Sequence, residues 1–187
     1  VLVGRDRRPS GDELVDEFAR GVMEQGVDVV DLGLASTDLV YYAAGTLDAP
    51  GAIFTASHNP AQYNGVKFCL AGARPVGQDT GLVTVRDLAQ QVLDGRGPLP
   101  AATSGSRASR NLLSAFADHV VSFIDTAALR PMRVVADTAN GMGGLVVPAV
   151  FERIPQLTLE VMYGELDGTF PNHPADPLQP ENQRDLQ

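Results

Sequence analysis

The chain has 187 residues, 44% hydrophobic and 20% charged, which suits one domain, or one domain and part of another, with a real buried core. A formal net charge of −9 without a basic face argues against a nucleic-acid partner, and no apolar run reaches the roughly 20 residues that span a bilayer. The single cysteine, Cys69, forms no internal disulfide and favours a reducing, cytoplasmic setting; between Phe68 and Leu70 it reads as a buried, inert thiol.

The chain begins without Met in what reads as a strand, Val1–Gly4, so its start is expected to be a truncation. A charged loop, Arg5-Asp6-Arg7-Arg8-Pro9-Ser10-Gly11, follows. A helix is expected over Asp12–Gln25, where Leu14, Val15, Phe18, Ala19, Val22 and Met23 make one apolar stripe, and Gly26 should stop it. Val27–Leu32 reads as a second strand, and the β-α-β order implies parallel pairing. Ser36 or Thr37 should cap a short helix carrying Leu39, Val40, Tyr42, Ala43 and Leu47. Gly51–Phe54 reads as a buried strand closed by the loop Thr55-Ala56-Ser57-His58-Asn59-Pro60. In the next strand Val66, Phe68 and Leu70 share one face, Lys67 and Cys69 the other. A helix is expected near Thr80–Leu93, a loop or linker over Gly95–Arg110, and a helix over Asn111–Leu129.

At Pro131 the pattern restarts, with a strand Met132–Ala136, a glycine-rich turn Gly141–Gly144, a helix Leu145–Phe151 and a strand Leu157–Tyr163. The proline-rich tail from Asp167 to Asn182 should run extended. The prediction is an α/β fold: a mixed, mostly parallel sheet sandwiched by helices over residues 1–128, then an incomplete second domain of similar type over 129–187.

Several standard sites fail on spacing. A Walker motif needs Gly-Lys, and the lysine here follows Val66. Asn140-Gly141-Met142-Gly143-Gly144 lacks the third glycine of a dinucleotide turn, which would fall at Val146. Ser57 is flanked at two residues' distance by Thr55 and Asn59 rather than by glycines, so it is not a nucleophile elbow. Zinc-type Cys/His clusters are absent. His119 reads as structural on an apolar helix, and His173 as a loop hydrogen-bonding residue. Asp137 ends a strand, but the second aspartate that a dehalogenase-type nucleophile wants is Ala139.

Ser57 and Lys67 remain. Of 14 basic residues Lys67 is the one lysine, and lysine, unlike arginine, can release its proton. Thr55-Ala56-Ser57-His58-Asn59-Pro60 followed by Asn64-Gly65-Val66-Lys67 resembles the active-site segment of the α-D-phosphohexomutases, most closely the bacterial phosphomannomutase/phosphoglucomutase group. Gly4–Ser10, Leu70-Ala71-Gly72, Gln78–Gly81, Asp137–Gly141, Asp167–His173 and Pro180-Glu181-Asn182 resemble further segments of that family in the same order.

The resemblance implies an intramolecular phosphotransferase that interconverts hexose 6-phosphate and hexose 1-phosphate, of mannose or glucose, through a hexose 1,6-bisphosphate. Ser57 would be carried as phosphoserine and bind Mg²⁺ through its phosphate, whose −1.5 to −2 charges need a metal and donors around them. Lys67 would be the general base or acid for the sugar hydroxyl. His58 would bind phosphate or share the proton work. Arg5, Asp6, Asn59 and Asn64 would support the loop or the substrate. The metal carboxylates and the sugar- and phosphate-recognition loops are expected beyond Gln187, so these residues alone are expected to lack turnover. Phosphoglucosamine mutase is an alternative, against which Thr55 speaks because that branch usually has serine there. A non-catalytic phosphosugar-binding or oligomerisation module is another.

Overall fold

The computed structural model describes residues 1–187. Strand β1 (Leu2–Arg5) is flanked by β2 (Val29–Leu34) and β3 (Gly51–Phe54), both parallel to it. Strand β4 (Val66–Leu70) runs antiparallel beside β3, and the two-residue β5 (Arg74–Pro75) antiparallel beside β4. Strand β6 (Arg107–Ser109) pairs parallel with β2 at the opposite edge, giving the order β5-β4-β3-β1-β2-β6. The sheet is mixed and mostly parallel, as expected.

Central strands covered on both sides send alternate residues into two cores. Helix α1 (Gly11–Glu24) lays Val15 and Ala19 against Val3, Val29, Ala52 and Phe54. Helix α2 (Thr37–Thr46) lays Leu39, Val40, Ala43 and Ala44 on the other face, against Leu2, Leu32, Ile53 and Cys69. The Ser36 hydroxyl caps α2 by accepting from the Leu39 amide at 3.2 Å. Gly26, at φ +77°, turns the chain out of α1 while its amide bonds the Met23 carbonyl at 2.8 Å. The chain passes from β1 to β2 on one side and then to β3 on the other. The onward connections from β1 and β3 therefore run to opposite sides of the sheet, while their loops lie side by side at the carboxyl ends of neighbouring strands, where open α/β sheets hold ligands.

The second sheet is a β-α-β unit. Strands β7 (Met132–Asp137) and β8 (Leu157–Met162) pair in parallel. Between them comes the helix we label α5 (Gly143–Phe151), after α3 (Leu82–Leu93) and α4 (Leu113–Val121). Helix α4 joins the two units: Phe116 enters the core under α2, while Arg153, just after α5, pairs with Asp118 and donates to the Ser114 hydroxyl at 2.8 Å.

Several boundaries differ from expectation. The second strand starts at Val29, because Asp28 turns to accept from the amide and hydroxyl of Ser106, each at 2.7 Å. The region expected as a loop over 95–110 contains β6, which has no apolar alternation. Its place is set by Arg107, which reaches Asp16 at 2.7 Å and Asp31 at 2.6 Å. The helix expected to run to Leu129 ends at Val121, where the Ser122 hydroxyl takes the His119 carbonyl at 2.6 Å and Asp125 caps a short 3-10 turn. Residues 78–80 form a 3-10 turn ahead of α3, which starts at Leu82. The tail is not wholly irregular, since Pro180–Leu186 is 3-10 helical. Helix α3 forms as expected yet buries no residue.

Candidate active site

Strand β3 ends at Phe54, and the chain then makes a tight turn that leaves Ser57 exposed. Its φ is +55°, in the left-handed region that costs an L-residue about 1–2 kcal/mol, and such strain persists only where neighbours hold it. The holding is visible. The Ser57 amide donates to Thr55 Oγ1 at 3.0 Å, Thr55 Oγ1 donates to Asp6 Oδ2 at 2.6 Å, and the Asp6 amide donates to the Phe54 carbonyl at 3.0 Å. The Asn59 side chain closes the turn by donating to the Ala56 carbonyl at 2.8 Å.

Arg8 holds the rest. Its side chain is fully buried, and all five of its N–H donors are used. Nε meets Asp6 Oδ2 at 3.1 Å, one terminal nitrogen the carbonyls of Pro60 and Tyr63 at 2.7 and 3.0 Å, the other those of Ser57 and Asn59 at 2.7 and 2.8 Å. One planar fork thus fixes both ends of the serine loop. Sequence reasoning gave Arg8 no bracing role, because all but one of its side-chain partners are backbone carbonyls.

The other expected residues fall as follows. Asp6 supports the loop, as described. Arg5 does not: its guanidinium goes to Asp12 in the first turn of α1, and only its backbone, paired with Phe54, meets the serine-bearing strand. The competition is local, since Asp12 lies seven residues on, in the first turn of α1. Asn64 ties the far end of the loop to Ser10 Oγ at 3.0 Å and accepts from the Gly65 amide at 2.8 Å. His58 is exposed, with Nδ1 3.4 Å from Ser57 Oγ. Lys67 is exposed and pairs across the sheet with Ile53, and its side chain makes no hydrogen bond or salt bridge, so its ammonium is free to swing.

Ser57 opens on a cavity of about 180 Å³ between the two units. Asp6, Arg7, Thr55 and Ile53 line it from the first sheet, Ser36 and Thr37 from the start of α2, and Gly141, Met142, Gly168 and Phe170 from the loops after β7 and β8. Lys67 is not part of this lining. As a metal site the cavity is poor. Its one carboxylate, Asp6, is committed to Arg8 and Thr55, and no three His, Cys, Asp or Glu side chains in the chain are grouped to hold an ion. The Mg²⁺ implied by resemblance therefore does not fit these residues alone.

His173, outside the cavity, binds Asp137 Oδ2 at 2.9 Å through Nε2 and the Pro174 carbonyl at 2.8 Å through Nδ1. Burial pulls its pKa down, but these two acceptors outweigh it and leave the pKa raised; only the imidazolium donates to both. Asp137 is thereby occupied as a structural partner, and its second oxygen accepts from the Ala139 amide at 2.9 Å. Cys69 is buried, and that burial pushes its thiol pKa up.

Residues 1–91 match the family model described as phosphoglucomutase/phosphomannomutase, alpha/beta/alpha domain I, and residues 114–187 match that of domain II. Phosphohexose mutases of Xanthomonas campestris pv. campestris are 36% identical over 97% of this chain and 40% of their own length. The phosphomannomutases of Salmonella typhimurium and Escherichia coli K12 are 38% and 37% identical over the same shares. A crystal structure of a phosphoglucomutase/phosphomannomutase family protein from Burkholderia thailandensis superposes with a TM-score of 0.83 at 32% identity, over 99% of this chain and 40% of that one. The chain thus spans about 40% of the length of the relatives it matches. With both domain models matched in order and the fold reproduced, the chain belongs to the phosphoglucomutase/phosphomannomutase family.

Proposed function

We propose that this chain carries the phosphoryl-carrier half of a hexose-phosphate mutase, with Ser57 the residue that holds the phosphoryl group between transfers. The observation that supports it most is the Ser57 loop itself. An exposed hydroxyl stands on a strained residue, at a cavity mouth, with the backbone around it immobilised by a buried arginine. Catalysis of phosphoryl transfer is mostly positioning and charge stabilisation, so a rigid carrier is what the reaction asks of the protein.

In the forward step a sugar oxygen of a mannose or glucose phosphate attacks phosphorus. The new P–O bond forms as the bond to Ser57 Oγ breaks, giving a hexose 1,6-bisphosphate. The sugar proton passes to Lys67 acting as the neutral amine, which becomes the ammonium and can return the proton to the sugar oxygen in the reverse transfer. The departing seryl oxygen takes up a proton, for which His58 Nδ1 stands 3.4 Å away. Return of the other phosphoryl group restores Ser57 and completes the interconversion. The Mg²⁺ expected by resemblance would need carboxylates that these residues do not supply, so no step is assigned to it. A cytoplasmic setting accords with a sugar-phosphate substrate and one buried free thiol. No helix is long and apolar enough to cross a membrane.

The test is to incubate the full-length enzyme, with the metal and sugar-recognition groups expected by resemblance, with glucose 1,6-bisphosphate and follow its intact mass. Uptake of one phosphoryl group, mapped to Ser57 and lost in Ser57→Ala, is the expected result. Bisphosphate binding without modification, or modification elsewhere, would overturn the carrier reading in favour of a binding module. Relative rates on mannose, glucose and glucosamine phosphates then fix the sugar.

A further inference from the structure

Phe170 is a bulky residue at φ +54°, a conformation that Phe adopts only under constraint. The loop that carries it is tightly built. The Asp167 carboxylate accepts from the Thr169 amide at 2.9 Å and its hydroxyl at 2.7 Å, the Asp167 amide donates to the Asn140 carbonyl at 2.9 Å, and the Phe170 amide donates to the Asp167 carbonyl at 3.0 Å. This strained loop, after β8 of the second unit, crosses to the first. Its ring lies over the Arg8 guanidinium, 5.3 Å from centroid to Cζ. Beside it Gly168 packs so closely that a Cβ there would stand 2.1 Å from the Arg7 carbonyl oxygen.

We propose that Phe170 is a positioning residue for Ser57, and that loop 167–170 is a clamp through which the second unit sets how firmly the serine loop is held. Every link is a direct contact: Phe170 on Arg8, Arg8 on the carbonyls of Ser57, Asn59, Pro60 and Tyr63. A guanidinium whose edge is fully used can still be gripped on its face, and an aromatic ring does so without competing for a donor. Any shift of the second unit against the first is thereby felt at the phosphoryl acceptor.

The test compares Phe170→Leu, which keeps apolar bulk without a ring face, with Phe170→Tyr, which keeps the ring, and Gly168→Ala, which keeps the ring but pushes the loop away. Hydrogen exchange is followed at the amides of Ser57 and Asn59 and at those of β1 and β3. Phe170→Leu and Gly168→Ala should speed exchange at the serine loop by about tenfold, the size a desolvated cation–π contact can supply, and leave the strands unchanged. Phe170→Tyr should behave as wild type. Phosphoryl uptake from glucose 1,6-bisphosphate should slow at saturation with the half-saturating concentration unchanged; this arm rests on the carrier reading. Unchanged loop exchange in Phe170→Leu, acceleration spread equally through β1 and β3, or failure of tyrosine to restore protection would overturn the clamp. If wild-type Ser57 takes up no phosphoryl group, the carrier reading falls while the exchange data still decide the clamp.

Discussion

Replacing Arg8 by lysine keeps the charge and removes the fork. Five acceptors surround the guanidinium: four loop carbonyls and the Asp6 carboxylate, all within 3.1 Å. An ammonium has three donors on one nitrogen, so at least two acceptors lose their partner. A buried acceptor left unpaired costs about 1–3 kcal/mol, giving about 2–6 kcal/mol for two. The carbonyls lie on an exposed turn and can rotate towards water, which places the expected loss in the lower half, about 2–4 kcal/mol. That is a large part of the 5–15 kcal/mol that holds a typical domain. Arg8→Met should cost more than Arg8→Lys, because it also leaves Asp6 without its cation. Equilibrium urea unfolding measures both, with hydrogen exchange at Ser57 and Asn59 showing whether the damage begins in the loop. An Arg8→Lys protein within about 0.5 kcal/mol of wild type, with loop amides equally protected, would refute the argument that the fork is what fixes the turn.

Ser57→Gly and Ser57→Ala both remove the hydroxyl, but only glycine relieves the left-handed strain, so Ser57→Gly should be the more stable of the two by about 1 kcal/mol in urea unfolding; equal stabilities would show that the turn is unstrained. Lys67→Met should slow phosphoryl transfer to Ser57 by about 10²–10⁴ with stability unchanged, since the side chain is exposed and unpaired, and Lys67→Arg should not restore the rate because a guanidinium keeps its proton. Substantial rescue by arginine would reduce Lys67 to a charge. The His173 pKa is raised in the folded protein, so its ion pair with Asp137 contributes stability fully below the ordinary imidazole range near 6.5 and loses it as pH rises through the higher folded value. Asp185 and the Tyr163 ring, 5.4 Å away, are the other groups that face it. The stability difference between wild type and His173→Asn should therefore shrink from pH 6 to pH 9, where a flat difference would remove the imidazolium from the account.

What the sequence displayed and what it concealed follow from where each signal resides. The apolar stripe of α1, the Ser36 cap and the glycine that ends α1 are local, and they appear where expected. The turn that closes β3 was legible for the same reason, its proline lying within a few residues, whereas the role expected of Ser57 came from the family resemblance and not from any local pattern. β6 was not legible because three exposed residues joined by Arg107 to Asp16 and Asp31 have no periodicity, only partners 76 and 91 residues away. The early end of α4 turned on a serine hydroxyl that competes for a helix carbonyl, which an apolar stripe running on to Phe123 conceals. Arg8 was hidden more thoroughly, since a fork bonded to backbone oxygens puts no demand on the side chains of the residues it holds.

That same arrangement explains why the brace suits a carrier. Ser57 would alternate between a neutral hydroxyl and a phosphate with a charge of about −1.5 to −2. An arginine bonded to the phosphate itself would hold the loop well in one state and poorly in the other, and would resist release of the group. Arg8 instead bonds the Ser57 carbonyl and three others, so its grip is indifferent to what Oγ carries. Preorganised groups that need not rearrange as charge moves are the ones that lower a phosphoryl-transfer barrier. By this reasoning the backbone of residues 57–60 should show the same exchange protection before and after phosphorylation of Ser57, whereas a loop that tightens only when phosphorylated would place its brace on the phosphate and not on Arg8.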